Sequence, residues 1–409
     1  MTTVAMNVID KNSKHALENL EKKFQQTFPN HGSLRFFSSP GRTEIAGNHT
    51  DHQLGKVIVA AVNLDTVAVV EKREDKIVQF HSEGFPAVEM SLDSLEKKTE
   101  EMETSMALVR GVAKALVDRG YEIGGFNALI SSQVPAGSGL SSSAAFELLM
   151  VSIFDSLYNR GTIDKLERAQ IAQYAENVYF DKPSGLLDQS GSSFGDLIYI
   201  DFQEEVPVTK SLHLDLKEQG YRMLIVLTGG SHANLTPEYA AIPIEMQAVA
   251  QALGKNYLSE LSSETFYTSL PEIRSQVGDR ALLRAIHFLS EQERVDKMRN
   301  ILEQDFDAFL DLVDQSGLSS ELQLQNVSVS IEPRQQELAL ALALSRQFLA
   351  DKKGACRVHG GGFAGTIQAY IREEDYHTYT EMMEEVFGEG SVLDVYIRPY
   401  GACEVLAYI

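Results

Sequence analysis

Positive charge is scarce in this chain. Against 58 Asp and Glu stand 36 Lys and Arg, a formal net charge of −22, and no Lys/Arg cluster interrupts the acidic balance. Sequence-independent nucleic-acid binding needs many cationic contacts to phosphate, so it is excluded as a main role. Cysteine is nearly absent: Cys356 and Cys403 stand alone, too few for a disulfide framework and not spaced as a metal pair. Cys356 lies among apolar and small residues and reads as a buried free thiol. Long apolar runs are missing as well. The Val57–Val70 stretch is broken by Asn63 and Asp65, so no window reaches the length of a membrane-spanning helix. Residues 1–24 lack the apolar core of a signal peptide. The expectation is a soluble, cytoplasmic protein without nucleic-acid or membrane partners.

Several catalytic signatures are also missing. No G-x-x-x-x-G-K-[ST] occurs, nor the H-R-D and D-F-G elements of protein kinases. Gly360–Gly365 matches G-x-G-x-x-G only formally, because the strand formers Thr366–Ile371 follow it where a dinucleotide site needs a helix. Taken alone it reads as a tight turn needing positive φ. Gly191-Ser192-Ser193-Phe194-Gly195 matches the hydrolase elbow formally too. That elbow needs a strand before the serine and a helix after it, and here the order is reversed.

What is present begins with residues 135–145, Pro-Ala-Gly-Ser-Gly-Leu-Ser-Ser-Ser-Ala-Ala. Small flexible residues run through three hydroxyls into the helix formers Ala144–Met150, the profile of a loop emptying into a helix N-terminus. Free N–H groups and the positive end of a helix dipole meet there, and the hydroxyls can cap the helix or ligate Mg²⁺. A triphosphate cradle and an ordinary Ser-capped helix fit this segment about equally. A second segment is Pro40–His52, with His49, Asp51 and His52 close together. Metal ligation and a plain polar surface loop are both open to these residues. A better fit is a polyhydroxylated substrate, Asp51 accepting from two adjacent hydroxyls while Asn48 and His49 donate. Asp188 lies beside Leu186 and Leu187. It reads as a cap or solvated charge, or as a partly buried carboxylate that needs a cation. Arg42 is then the candidate partner, and the pair can accept a substrate proton and steady developing charge.

The chain is long enough for two domains. Leu17, Leu20 and Phe24 predict an N-terminal amphipathic helix. Leu34–Ser38, Lys56–Ala61, Thr66–Lys72 and Gly124–Ser131 read as strands, with 40–55 as a loop. Helices are expected at Ser105–Arg119, Ala144–Leu157 and Ile163–Asn177, then strands at Leu197–Asp201 and Arg222–Leu227. Pro243–Leu253, Arg280–Glu303 and Phe306–Leu312 read as helices. Residues 337–349 alternate Ala and Leu like a strand, but their length and helix propensity favour a helix. A helix around Asp375–Phe387 is flanked by strands Gly365–Ile371 and Val392–Pro399. The domain boundary is expected near residue 205.

Pro40–His52, Pro135–Ala145 and His359–Gly365 lie in the order of the three motifs of the GHMP small-molecule kinases, and the first resembles the galactokinase signature. The resemblance runs from about residue 34 to the C-terminus. It implies an α+β fold of two mixed α/β domains, 1–205 and 206–409, with the active site in the cleft between them. It implies transfer of the ATP γ-phosphoryl group to O1 of a sugar, galactose first. Gly137, Ser138, Gly139, Leu140, Ser141, Ser142 and Ser143 would hold the phosphates, with Ser143 or Ser142 near Mg²⁺ and Glu176 the metal-associated acid. Asp188 would be the base and Arg42 its partner. Asn48, His49, Asp51 and Tyr239 would contact the sugar, and Gly360–Gly362, including Gly361 and Gly362, would close the cleft.

Three departures bear on the sugar. The family form Gly-Glu-His-Thr-Asp-Tyr is replaced by Gly47-Asn48-His49-Thr50-Asp51-His52, with Asn where the family's Glu faces the C6 hydroxyl. Asp51-His52-Gln53 is similar to plant galacturonokinases. Ala241-Ile242-Pro243 stands where the family carries an Arg-Arg pair. Galacturonate is therefore the alternative substrate, and Asn48→Glu is expected to favour the neutral sugar. A non-catalytic sugar and ATP sensor is the other alternative, although Ser142-Ser143-Ala144-Ala145 is intact here.

Overall fold

A computed structural model describes residues 3–182, 184–230 and 235–406. In chain order its strands are β1 (Thr3–Ala5), β2 (Leu34–Ala46), β3 (Lys56–Lys72), β4 (Ile77–Ser82), β5 (Val88–Ser91), β6 (Phe126–Ser132), β7 (Leu197–Asp201), β8 (Val208–Leu212), β9 (Tyr221–Leu227), β10 (Gly354–His359), β11 (Thr366–Arg372), β12 (Val392–Val395) and β13 (Cys403–Leu406). They form a nine-stranded sheet ordered β1-β13-β2-β3-β6-β4-β5, with β7 on β3 and β8 on β7. A four-stranded sheet is ordered β10-β11-β9-β12.

The long β3 explains much of the first sheet. Its first half, Lys56–Ala60, pairs with β7 and its second half, Thr66–Lys72, with β6, while β2 runs along both. Asn63 and Asp65 therefore interrupt an apolar pattern without ending the strand, and one strand replaces the two expected. The segment expected to be a loop from residue 40 is also strand as far as Ala46. Register shifts at Pro40/Arg42 and Glu44/Ala46 absorb Pro40, which lacks a ladder donor, and twist the strand so that Arg42 is re-aimed.

One face of the large sheet packs on helices Ser105–Asp118, Ser142–Tyr158 and Lys165–Tyr174 through Phe80, Val112, Phe126, Leu149 and Phe154. The other face is covered by helix Lys11–Thr27, whose Leu17, Leu20 and Phe24 meet Phe36, Val67 and Val69. Helix Glu337–Phe348 covers the small sheet, burying Leu338, Ala341, Leu342 and Ser345 at helical spacing. The Ala–Leu alternation is thus incidental, and propensity decides the element. Helices Thr236–Ala252, Ser263–Val277 and Asp279–Ile301 form a separate apolar cluster.

A further core joins the two sheets. Ile45, Ile58 and Leu197 of the large sheet pack with Met223, Ile225 and Tyr370 of the small one, sealed by Val295, Met298 and Phe309. The expected boundary near 205 falls between β7 and β8, both strands of the large sheet, and β13 brings the chain's end back beside β2. Cys356 and Cys403 are buried free thiols. Among the described residues, no helix is long and apolar enough to cross a membrane.

Candidate active site

Arg42, on the bulged end of β2, points its guanidinium at the start of helix Leu187–Phe194. Its Nε donates to Asp188 Oδ1 at 2.7 Å, and Nη1 donates to the carbonyl of Gly139. Asp188 Oδ2 accepts from Ser141 Oγ at 2.7 Å. Burial raises the Asp188 pKa, but the charges of Arg42 and Lys182 and the hydrogen bonds from Arg42 and Ser141 outweigh it, so the net shift is downward. Arg42 is nearly buried and Asp188 is about a quarter exposed (7% and 24%), so the carboxylate keeps an open side.

Ser141 also ends the glycine-rich loop that runs from Gly137 to the next helix. It takes a left-handed conformation (φ 59°) ahead of helix Ser142–Tyr158, and no side chain caps that helix. The Ser141 hydroxyl goes to Asp188 instead, so the capping role open to these serines is not filled. The helix starts at Ser142, earlier than expected. Gly137 and Gly139 adopt φ of 73° and 69°, conformations that glycine reaches without strain. A Cβ on Gly139 would also meet the His359 ring at 2.9 Å. Ser138 Oγ turns to Pro135 O, while Leu140 is buried and its carbonyl accepts from Arg42 N. Ser143 Oγ donates to Glu176 Oε1 at 2.9 Å.

Glu176 sits in a π-helical turn, Ala175–Phe180, that continues helix Lys165–Tyr174. The sequence predicts an uninterrupted helix here; the wider turn swings the carboxylate toward Ser143, a use of π geometry common at functional sites. Glu176 is almost fully buried and also accepts from Lys182 Nζ (2.6 Å), Ser184 Oγ (2.6 Å) and Gln189 Nε2 (2.9 Å). Gln189 in turn donates to the buried Glu147, whose pKa is pushed well up by burial and then by Glu176.

The loop after β2 is held from outside by helix Asp279–Ile301. His287 Nε2 meets Asn48 O at 2.9 Å, Glu291 Oε1 accepts from Gly47 N at 3.0 Å, and Gln292 Oε1 accepts from Lys56 N at 2.7 Å. Asn48 is completely buried. Its amide donates to Gly360 O (2.8 Å) and Glu44 (3.1 Å), and its oxygen accepts from Asn326 (2.8 Å) and Ser320 (3.2 Å). Both polar atoms of the Asn48 side chain are therefore engaged inside the protein. His49 Nε2 meets Gly361 O at 2.9 Å, and Tyr239 Oη donates to Gly362 O at 2.6 Å. Asp51 lies so close against Gly185 that a Cβ there would collide with its Oδ2. Burial, then the charge of Asp188, lifts Asp51 to about 6. Among the described residues no three or more His, Cys, Asp and Glu are grouped to hold a metal.

Segments 42–51, 137–143 and 359–362 thus meet in one place, with Arg42 joining Asp188 to Gly139 and Asn48 and His49 joined to Gly360 and Gly361. Residues 22–72 match the model of the galactokinase galactose-binding signature, and residues 107–196 that of the GHMP kinases N terminal domain. A galactokinase of Lactococcus lactis subsp. lactis (strain IL1403) is 30% identical over 416 aligned positions, spanning 97% of this chain and 98% of that protein. The chain belongs to the galactokinase family. A galactokinase of Clostridium tetani is 32% identical over 70% of this chain and 72% of its own length. The crystal structure of Lactococcus lactis galactokinase complexed with galactose matches with a TM-score of 0.81 at 27% identity, covering 95% of this chain and 99% of that one. A mevalonate kinase structure, 13% identical with a TM-score of 0.62, covers 89% of this chain and 99% of its own and shares the GHMP fold.

This galactokinase-family site contains residues that the motifs do not announce. Glu44, paired with buried Arg357 at 2.6 Å, lies in the first motif without a role that its sequence position reveals. Lys182, Gln189 and Glu147 surround Glu176, and a lone Lys or Gln in a sequence carries no signal. The helix residues His287, Glu291 and Gln292 act on backbone over 200 positions away in the chain, and only their spacing along one helix face hints at a shared target.

Proposed function

We propose that this chain is an ATP-dependent sugar 1-kinase that transfers the γ-phosphoryl group to the C1 hydroxyl of galactose. Phosphoryl transfer needs alignment and charge neutralisation more than covalent chemistry. The single observation carrying the reading is that Arg42 bonds both Asp188 and the Gly139 carbonyl. One guanidinium thereby ties the base to the phosphate loop. Asp188, held ionised by its partners, orients the C1 hydroxyl and accepts its proton as the phosphoryl group arrives. The first-turn N–H groups of helix Ser142–Tyr158 and the loop Gly137–Ser143 suit the triphosphate end. Asp51, His49 and Tyr239 are the sugar contacts this reading uses, with Gly361 and Gly362 closing over them.

The donor set of Ser143 and Glu176, a hydroxyl and a carboxylate 2.9 Å apart at a helix N-terminus, fits Mg²⁺, a hard cation that takes few protein ligands and shares phosphate oxygens. When bound, Mg²⁺ would neutralise phosphate charge. A small sugar and ATP are the partners implied, in a cytoplasmic setting.

Galacturonate stays as the second reading. Both ring nitrogens of His52 are buried without a hydrogen-bond partner among the described residues, next to the His49 ring, and His52 is the group this reading would turn to a C6 substituent. An ATP-consumption assay across a sugar panel tests both readings. Turnover of galactose is the expected result. A higher kcat/KM for galacturonate would move the assignment to that sugar, and no turnover of any sugar with Mg²⁺ present would overturn it.

A further inference from the structure

Glu176 accepts four hydrogen bonds, and they are not alike. Ser184 and Gln189 occupy Oε2, while Ser143 and Lys182 share Oε1. Ser143, Ser184 and Gln189 are short or buried. The Lys182 side chain is 54% exposed and Glu176 only 1%, so the ammonium reaches the acid from the solvent side. It lies on the oxygen that Ser143 also uses, and Ser143 and Glu176 are the residues that would hold a hard cation. The backbone of Lys182 is fixed at the same acid, its N–H donating to Glu176 O at 3.1 Å. The four-carbon stem therefore swings from an anchored root.

The charge balance gives this ammonium a use. Asp188, Asp51 and Glu176 converge where a polyanion must bind, and the loop 135–145 has no cation. Arg42 is engaged by Asp188 and Gly139. Lys182 is the remaining cation in contact with this cluster among the described residues. Phosphoryl transfer spreads negative charge over the moving group, and positioned cations are the usual means of stabilising it.

We propose that Lys182 is a mobile cation of the transfer site: it holds the Glu176 carboxylate in the metal-free protein and turns to the triphosphate end when that carboxylate would instead hold Mg²⁺. The role rests on the kinase reading above and adds a charge-supplying residue to it.

The test compares wild type with Lys182→Met and Lys182→Arg, each checked for a cooperative thermal transition. Mn²⁺ alone is titrated into nucleotide-free protein and read by electron paramagnetic resonance. A non-hydrolysable ATP analogue with Mg²⁺ is then titrated by calorimetry. Lys182→Met should bind Mn²⁺ about tenfold more tightly, because no ammonium competes, and the nucleotide about tenfold more weakly, each the size of one charge-assisted contact. Its kcat should fall at least as much, with the sugar KM unchanged. Lys182→Arg should stay close to wild type in Mn²⁺ binding and recover most of the nucleotide affinity. Unchanged or weaker Mn²⁺ binding in Lys182→Met overturns the proposal, as does unchanged nucleotide affinity. If Lys182→Met does not fold, Lys182→Arg decides: nucleotide affinity lost as completely as in an Arg42 variant overturns it. Failure of wild type to phosphorylate galactose would sink the assigned reaction, while both titrations would still decide the role of Lys182.

Discussion

The amide nitrogen of Asn48 lies 3.1 Å from the carboxylate of Glu44, and both are buried. Glu44 is raised by burial and lowered less by Arg357 beside it. The family's Glu at position 48 would here face a second carboxylate at that distance. Asn48→Glu therefore meets a stability cost before any change in sugar choice. Two close buried carboxylates, or one forced to keep a proton, cost on the order of 3 kcal/mol. The urea midpoint of Asn48→Glu should fall accordingly, and Glu44→Gln/Asn48→Glu should recover most of it. Only in that double variant is the ratio of kcat/KM for galactose and galacturonate a clean measure of selectivity. A single variant as stable as wild type would show that the two side chains do not share a charge-limited site.

Asp188→Asn keeps the shape at the end of Arg42 but removes the proposed proton acceptor. The kcat should drop by about 10³-fold or more, with sugar affinity by calorimetry changed only a few-fold. Arg42→Lys should lose more than charge, because a single ammonium cannot serve both Asp188 and the Gly139 carbonyl. Its ATP KM should rise along with the loss in kcat. Full activity in Asp188→Asn would remove that residue from its assigned role.

The Arg42–Asp188 pairing is legible in the sequence because burying a carboxylate beside Leu186 and Leu187 demands a cation, and the first motif offers one. Most helices are legible too, through apolar spacing and propensity. The sequence is silent where geometry depends on long-range packing. Strand β13 is four residues long, and its place beside β2 follows from sheet closure, not from its own pattern. The helix Leu187–Phe194 packs close against β2 and β3, because Gly191 sits against Val59 and Arg42, where a Cβ would stand 2.7–2.8 Å away. The π turn carrying Glu176 has no sequence signature. The engagement of Asn48 by Gly360 and Asn326 depends on a partner strand and loop more than 270 residues further on.

Helix Asp279–Ile301 should tune the sugar end alone. Glu291 is buried, and although burial raises its pKa, Arg294, His287 and Arg357 hold it near 2, so it is an anion when it accepts from Gly47 N. Glu291→Gln weakens that charge-assisted bond and leaves Arg294 without its partner. Such a loss costs about 2–3 kcal/mol. The KM for the sugar should rise several-fold and that for ATP should hold, because the loop 137–143 does not touch these residues by any described hydrogen bond. The pH sign is the usual one for a depressed acid. The stability Glu291 contributes is present above its unfolded pKa and is lost as pH falls through about 2, so Glu291→Gln should flatten acid unfolding. Equal changes in both KM values would contradict a clasp specific to the sugar loop.

Asp51 has the opposite sign. Its folded pKa, about 6, lies above the ordinary aspartate value of 3.8. Below about pH 4 both folded and unfolded states hold the proton. Between 4 and 6 the unfolded chain ionises first, so folding stability declines through that window as pH rises. The full cost, on the order of 3 kcal/mol, is reached above pH 6. In the proposed site the ionised form of Asp51 is the one that would accept from two sugar hydroxyls, so kcat/KM for the sugar should show an acid limb near pH 6. Asp51→Asn should remove that limb, lower kcat/KM by about 10²-fold, and raise the thermal midpoint at pH 8 but not at pH 4. A limb that survives in Asp51→Asn would assign the titration to another group, and equal stability at both pH values would mean that Asp51 carries no burial cost.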